Sequence, residues 1–111
     1  MILNAQPTDL PPEAQAPYPL PSVHPGKTLE AEMKARGLSA NSLALKIRVP
    51  ANRLSDIVRG RRAVSAETAL RLARAFGTSP QFWLNLQSAF DLSQAEALMG
   101  EKVRHEVEVL T

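Results

Sequence analysis

The chain has 111 residues, room for one domain with a modest core, and no cysteine, which excludes a disulfide framework and a thiolate metal site. No apolar run approaches the roughly 20 residues that a membrane span requires, and no basic-then-apolar leader is visible, so a reducing, cytoplasmic setting is expected. The formal net charge of +2 hides a segregation. Residues 1–26 hold Asp9 and Glu13 and no Lys or Arg. Residues 27–78 set eleven basic side chains against four acidic ones, a net of +7, and residues 79–111 return to −3. A basic middle between acidic ends suggests a polyanionic partner for the middle alone.

Residues 1–23 read as a proline-rich arm, with six of the nine prolines falling before residue 22. Each proline removes a backbone donor and biases its predecessor away from helix. The arm is either a spacer or a flexible segment that engages a protein partner through Leu10, Tyr18 and Leu20. His24-Pro25-Gly26 then turns into a helix over about Lys27–Arg36, with Leu29 and Met33 toward the core and Gly37 at its end. Neither His24 nor His105 has a second ligand at metal-site spacing; capping or packing is the better reading of both.

Ser39 is a good N-cap for a short helix that places Leu43, Ala44 and Ile47 on one face. A second short helix starts near Pro50 and turns Leu54, Ile57 and Val58 inward, and Gly60 suits a left-handed stop. Two short amphipathic helices joined by a tight turn are a helix-turn-helix pattern. Ser65 caps a fourth helix over about Ala66–Phe76, with Ala69, Leu70, Ala73 and Phe76 as its core stripe and Gly77 as its end. Ser79-Pro80 opens a fifth. Phe82, Trp83, Leu86 and Phe90 are too many large apolar groups for one face of a small exposed helix, so some should pack on the core and the rest form a dimer contact, for which Phe82, Trp83 and Phe90 are the candidates; Trp83 reads as a core or interface anchor. Residues 24–92 thus form the helix-turn-helix domain. Residues 93–111 are an extension in which a short helix ends at Gly100; beyond it Val103, Val107 and Leu110 fit a helix, while Val107 and Val109 alternate with charges as a strand does, and β-branched enrichment favours a short strand near Glu106–Leu110. Val107 and Val109 would pair that strand with a two-fold copy.

If Leu54 faces inward, Asn52, Asp56 and Arg59 fall opposite the buried stripe, with Arg53 and Ser55 beside them. A recognition helix offers its N-terminal residues to base edges in the major groove. Asn52 can bond adenine bidentately, Arg53 can reach guanine or phosphate, and Ser55 can serve either. Asp56 could accept from cytosine or orient Arg53 or Arg59 through a salt bridge. Lys46, Arg48, Arg59, Arg61 and Arg62 are placed as phosphate contacts, joined by Ser39 and Asn41 at the start of the first motif helix. Each cation that meets a phosphate should steepen the log–log salt dependence of binding by about 0.9.

The stretches HPGKTLEAEM, LSANSLALKIRVPANRLSDIVRGRRAVSAETALRLARAFGTSP and QFWLNLQSAFDL together resemble the HigA antitoxins (also VapI-type antidotes), within the lambda-repressor-like helix-turn-helix superfamily. The resemblance covers about His24–Leu92. It implies an all-α, five-helix lambda-repressor-like DNA-binding domain that dimerises on a palindromic operator, represses its own operon and neutralises a HigB-type mRNA endonuclease. Such a protein has no catalysis of its own and needs no cofactor. Two departures stand out. Ala40 occupies the position where many domains of this superfamily carry Gln, and the proline-rich extension is long, which leaves the toxin-binding surface open. Two alternatives stand beside it: an orphan regulator without a toxin, whose DNA-binding residues would be identical, and an interaction adaptor that uses the fold without binding DNA. The Arg59–Arg62 cluster argues against the adaptor. No paired carboxylates, nucleophile set, phosphate loop or metal-ligand spacing points to an enzyme.

Overall fold

The computed structural model describes residues 23–110; the proline-rich arm up to residue 22 lies outside them. Four of the five helices begin on a side-chain cap, which satisfies a backbone donor that the first turn leaves without a partner. The His24 Nδ1 accepts from the Gly26 N–H (2.9 Å) at the head of α1, Pro25–Ala35. Ser39 accepts from the Ser42 N–H (3.0 Å) for α2, Ala40–Ile47. Ser65 serves α4, Ala66–Phe76, through Thr68 (3.2 Å), and Ser79 serves α5, Pro80–Glu106, through Phe82 (3.1 Å). The recognition helix α3, Ala51–Val58, starts after Pro50 with no side-chain cap.

The helices close around Leu29, Leu43, Leu54, Ile57, Leu72 and Trp83, each almost or wholly removed from solvent. Fully burying one such side chain is worth about 1.5–3 kcal/mol. α1 crosses α3 so closely that a Cβ on Gly26 would collide with the Ile57 carbonyl oxygen. In α4 the core stripe is Ala69, Leu72, Ala73 and Phe76, an i, i+3, i+4, i+7 set. Leu70, expected there, is 59% exposed. It lies about 100° around the helix from Ala69, and the large leucine that fits the stripe is Leu72.

Three expectations for the C-terminal third are corrected. Trp83 is not an interface residue: it is 0% exposed, packs against Phe76, and donates its indole N–H to Thr78 Oγ1 at 2.9 Å. Gly100 does not end a helix. α5 runs 27 residues without a break, and Gly100 is buried within it. One glycine costs a helix about 1 kcal/mol, too little to stop a segment otherwise rich in Ala, Glu, Leu, Met, Lys and Arg. The strand at Glu106–Leu110 is also absent: Glu106 is the last helical residue, and among the described residues there is no strand. Val107 has extended backbone (φ −111°, ψ 118°) only as the helix cap, and Val107 and Val109 are exposed.

Candidate nucleic-acid interface

The turn joining α2 to α3 is Arg48-Val49-Pro50, and its geometry decides how α3 is presented. Val49 is buried and its N–H donates to the Ala44 carbonyl (3.1 Å), folding the chain back over the end of α2. This requires a left-handed residue before it, and Arg48 supplies φ 61° and ψ 49°. Arg71 on α4 reaches across to donate to the Ile47 carbonyl (3.0 Å) and pairs with Glu67 (3.2 Å). It therefore ties the last turn of α2 to α4. Sequence spacing did not single out this contact, because Ile47 and Arg71 are 24 residues apart.

On α3, Leu54 and Ile57 are buried, and Asn52 is exposed with Arg53, Ser55 and Asp56 half-exposed beside it. The four side chains expected to meet base edges share the outward side of one short helix. The salt bridge expected from Asp56 to Arg53 or Arg59 is absent among the described residues. What Asp56 does supply is its backbone carbonyl, which accepts from the Arg61 N–H at 2.7 Å and starts the loop after α3. Ser39 is exposed but its hydroxyl oxygen is committed to the α2 cap, and Asn41 lies exposed in the first turn.

The basic residues divide into engaged and free. Arg36 pairs with Glu32 and lies over the Phe76 ring, 4.7 Å from its centre. Arg71 is held as above. Lys46, Arg48, Arg59, Arg61 and Arg62 are exposed and make no ion pair among the described residues. These are the five read as phosphate contacts. Arg61 and Arg62 sit in the loop between α3 and α4, which leaves Gly60 in left-handed backbone (φ 76°).

Two groups that sequence spacing did not assign to this loop pack against it. The His24 ring lies within 4.0 Å of the position a Gly60 Cβ would take and meets Phe90 of α5 edge-on at 4.9 Å. Burial lowers the His24 pKa from its ordinary 6.5, against smaller opposing effects of Asp91 and the Arg62 backbone. At the other end of the loop Val64 is buried, and its N–H donates to Gln87 Oε1 of α5 at 2.8 Å. Gln87 is 7% exposed and passes its own N–H to Asp91 Oδ1 at 2.8 Å. The one sequence signal was that Gln87 continues the core spacing of Trp83, where a polar residue needs a buried partner.

Comparison with known proteins gives consistent results. A helix-turn-helix family profile matches residues 29–83. Virulence-associated protein I of Dichelobacter nodosus is 49% identical over 78 residues, covering 69% of this chain and 72% of that protein. An addiction module antidote protein of a HigA family from Coxiella burnetii is 43% identical, with a TM-score of 0.78 over 82% of this chain and 100% of its own. The Pseudomonas aeruginosa antitoxin HigA, solved with the higBA promoter, is also 43% identical with a TM-score of 0.78, covering 80% of this chain and 98% of its own.

Proposed function

The chain belongs to the HigA family of helix-turn-helix antitoxins, a DNA-binding and non-enzymatic family, and from that premise we propose that it is the autorepressing antitoxin of a two-gene module. It acts as a homodimer in the cytoplasm, binds a palindromic operator, and neutralises a HigB-type mRNA endonuclease. The observation that carries the DNA reading is the outward row of Asn52, Arg53, Ser55 and Asp56 on α3, bracketed by Lys46, Arg48, Arg59, Arg61 and Arg62, all exposed and outside any ion pair among the described residues. Asn52, Arg53, Ser55 and Asp56 read base edges; Lys46, Arg48, Arg59, Arg61 and Arg62 set affinity and register on the phosphates, with Ser39 and Asn41 adding backbone contacts.

The second copy packs along the outer half of α5. Beyond Asp91 this helix leaves the core, and Leu92, Ala95, Met99 and Val103 recur at three- and four-residue spacing along it. Such a stripe is unfilled in one chain and suits a second helix of the same kind.

Binding to the DNA upstream of the chain's own reading frame tests the proposal. Arg53→Ala should weaken that complex by about 1–3 kcal/mol while changing random-sequence binding much less. An equal loss on both DNAs would reassign Arg53 to the phosphates. Co-expression with the product of a small basic reading frame beside the gene tests the toxin arm. Failure to recover a ribonuclease-like partner, with operator binding intact, would leave an orphan regulator.

A further inference from the structure

The loop that carries Arg61 and Arg62 is not held by its own helices alone. Its first residues hang from α3 through the Arg61 N–H to the Asp56 carbonyl. Its far end hangs from α5, where the buried Gln87 accepts the Val64 N–H and is itself oriented by Asp91. Between these fixed points Arg61, Arg62 and Ala63 are exposed. Like charges so close in sequence favour a spread ensemble, and each ordered arginine side chain adds an entropic cost when DNA binds. A loop already fixed at both ends meets the phosphates with part of that cost removed.

We propose that Gln87 is a positioning residue for DNA binding: by holding the Val64 amide from α5 it fixes the Gly60–Val64 loop so that Arg61 and Arg62 are pre-placed on the phosphate backbone. This rests on the reading of those arginines as phosphate contacts. The chemistry explains why the residue is an amide. Its oxygen faces a backbone donor and its nitrogen faces a carboxylate, so neither an apolar residue nor a single carboxylate satisfies both neighbours.

The test uses the full chain and a 30-base-pair duplex of mixed sequence, whose binding is governed by phosphate contacts, measured by anisotropy across a salt series. Arg61→Ala with Arg62→Ala should reduce the log–log salt slope by about 1.8, from about 0.9 for each lost contact. Gln87→Met, similar in shape but without the hydrogen bonds, should lower affinity for the duplex several-fold in the otherwise intact chain and by much less when Arg61 and Arg62 are already alanine, since the cost falls on ordering those two side chains. Gln87→Glu combined with Asp91→Asn reverses the polarity of the side-chain pair, keeps an acceptor for the Val64 amide, and should restore the affinity. If the arginine pair leaves the slope unchanged, the phosphate reading fails and takes the proposal with it. If the arginine pair lowers the slope but Gln87→Met lowers only the melting temperature, Gln87 is a packing residue and the proposal is overturned. Should the methionine variant not fold, Gln87→Asn, too short to reach the amide directly, is read in the same two ways.

Discussion

Arg48 holds a left-handed backbone conformation, which costs a residue bearing a Cβ roughly 1–2 kcal/mol, while its exposed side chain is one of the five cations read as phosphate contacts. The turn needs the backbone, and the DNA reading needs the charge. Arg48→Gly is therefore expected to raise stability by about 0.5–1 kcal/mol, a few degrees in melting temperature for a domain of this size, after allowing for glycine's greater freedom when unfolded. The same variant should lose about 0.9 from the salt slope of DNA binding. A drop in both, followed by calorimetry and anisotropy, would show that the arginine side chain supports the turn. His24 joins three elements by one ring. Because burial lowers its pKa from 6.5, the unfolded chain binds the extra proton first as the pH falls. Stability is then complete above about 6.5 and declines below it until the folded-state pKa is passed. His24→Asn keeps a capping acceptor without the titration. Melting temperatures from pH 7.5 to 5.0 should fall less in that variant than in the parent, and parallel declines would place the sensitivity elsewhere.

Among the elements, α3 and α5 obey different rules. α3 has eight residues, too few to persist alone, and it exists because Leu54 and Ile57 are locked into the core. Leu54→Ala should cost about 2–5 kcal/mol and abolish DNA binding only through unfolding. α5 has two halves. Its first half is anchored by Trp83, Gln87 and the Phe90–His24 contact. In its second half Gly100 is the one buried residue, and the helix is sustained by local propensity and by pairs such as Lys102–Glu106 at 3.6 Å. Met99 and Val103, 45% and 47% exposed, contribute little to the monomer's core. Met99→Glu with Val103→Glu should leave the fold intact and shift the protein to monomer in sedimentation velocity. An unchanged dimer would move the interface to another face.

The described residues measure 52 × 34 × 21 Å, and the long dimension reflects α5, which at about 1.5 Å per residue spans roughly 40 Å. Charge is segregated along the chain. The net +7 lies in residues 27–78, which carry α2, α3 and the loop, and the net −3 lies in residues 79–111, which carry α5. A polyanion is thereby drawn to one part of the molecule and repelled from the part read as the dimer contact. Two-fold copies that read one face of a duplex must set their α3 helices about 34–36 Å apart. The monomeric variant of α5 should accordingly retain weak half-site binding and lose the steep gain from a full palindrome, a difference that band shifts on half-site and full-site duplexes would reveal.

The amino-acid sequence by itself determined the helices, four of their caps, most of the core and the outward row on α3. All of these depend on residues within one or two helical turns of each other, where spacing and cap chemistry are sufficient. It misassigned Leu70, Trp83 and the end of α5 where two local patterns competed: two leucines near one stripe, an aromatic that fits either core or interface, and valines inside a helix-forming segment. Only the tertiary structure could settle these choices, since each turns on which surface is already occupied. It alone brought Arg71 to Ile47, His24 to Phe90 and Gln87 to Val64. Those pairs are separated by 23 to 66 residues, and contacts at that distance are set by how the helices cross, which no local period encodes.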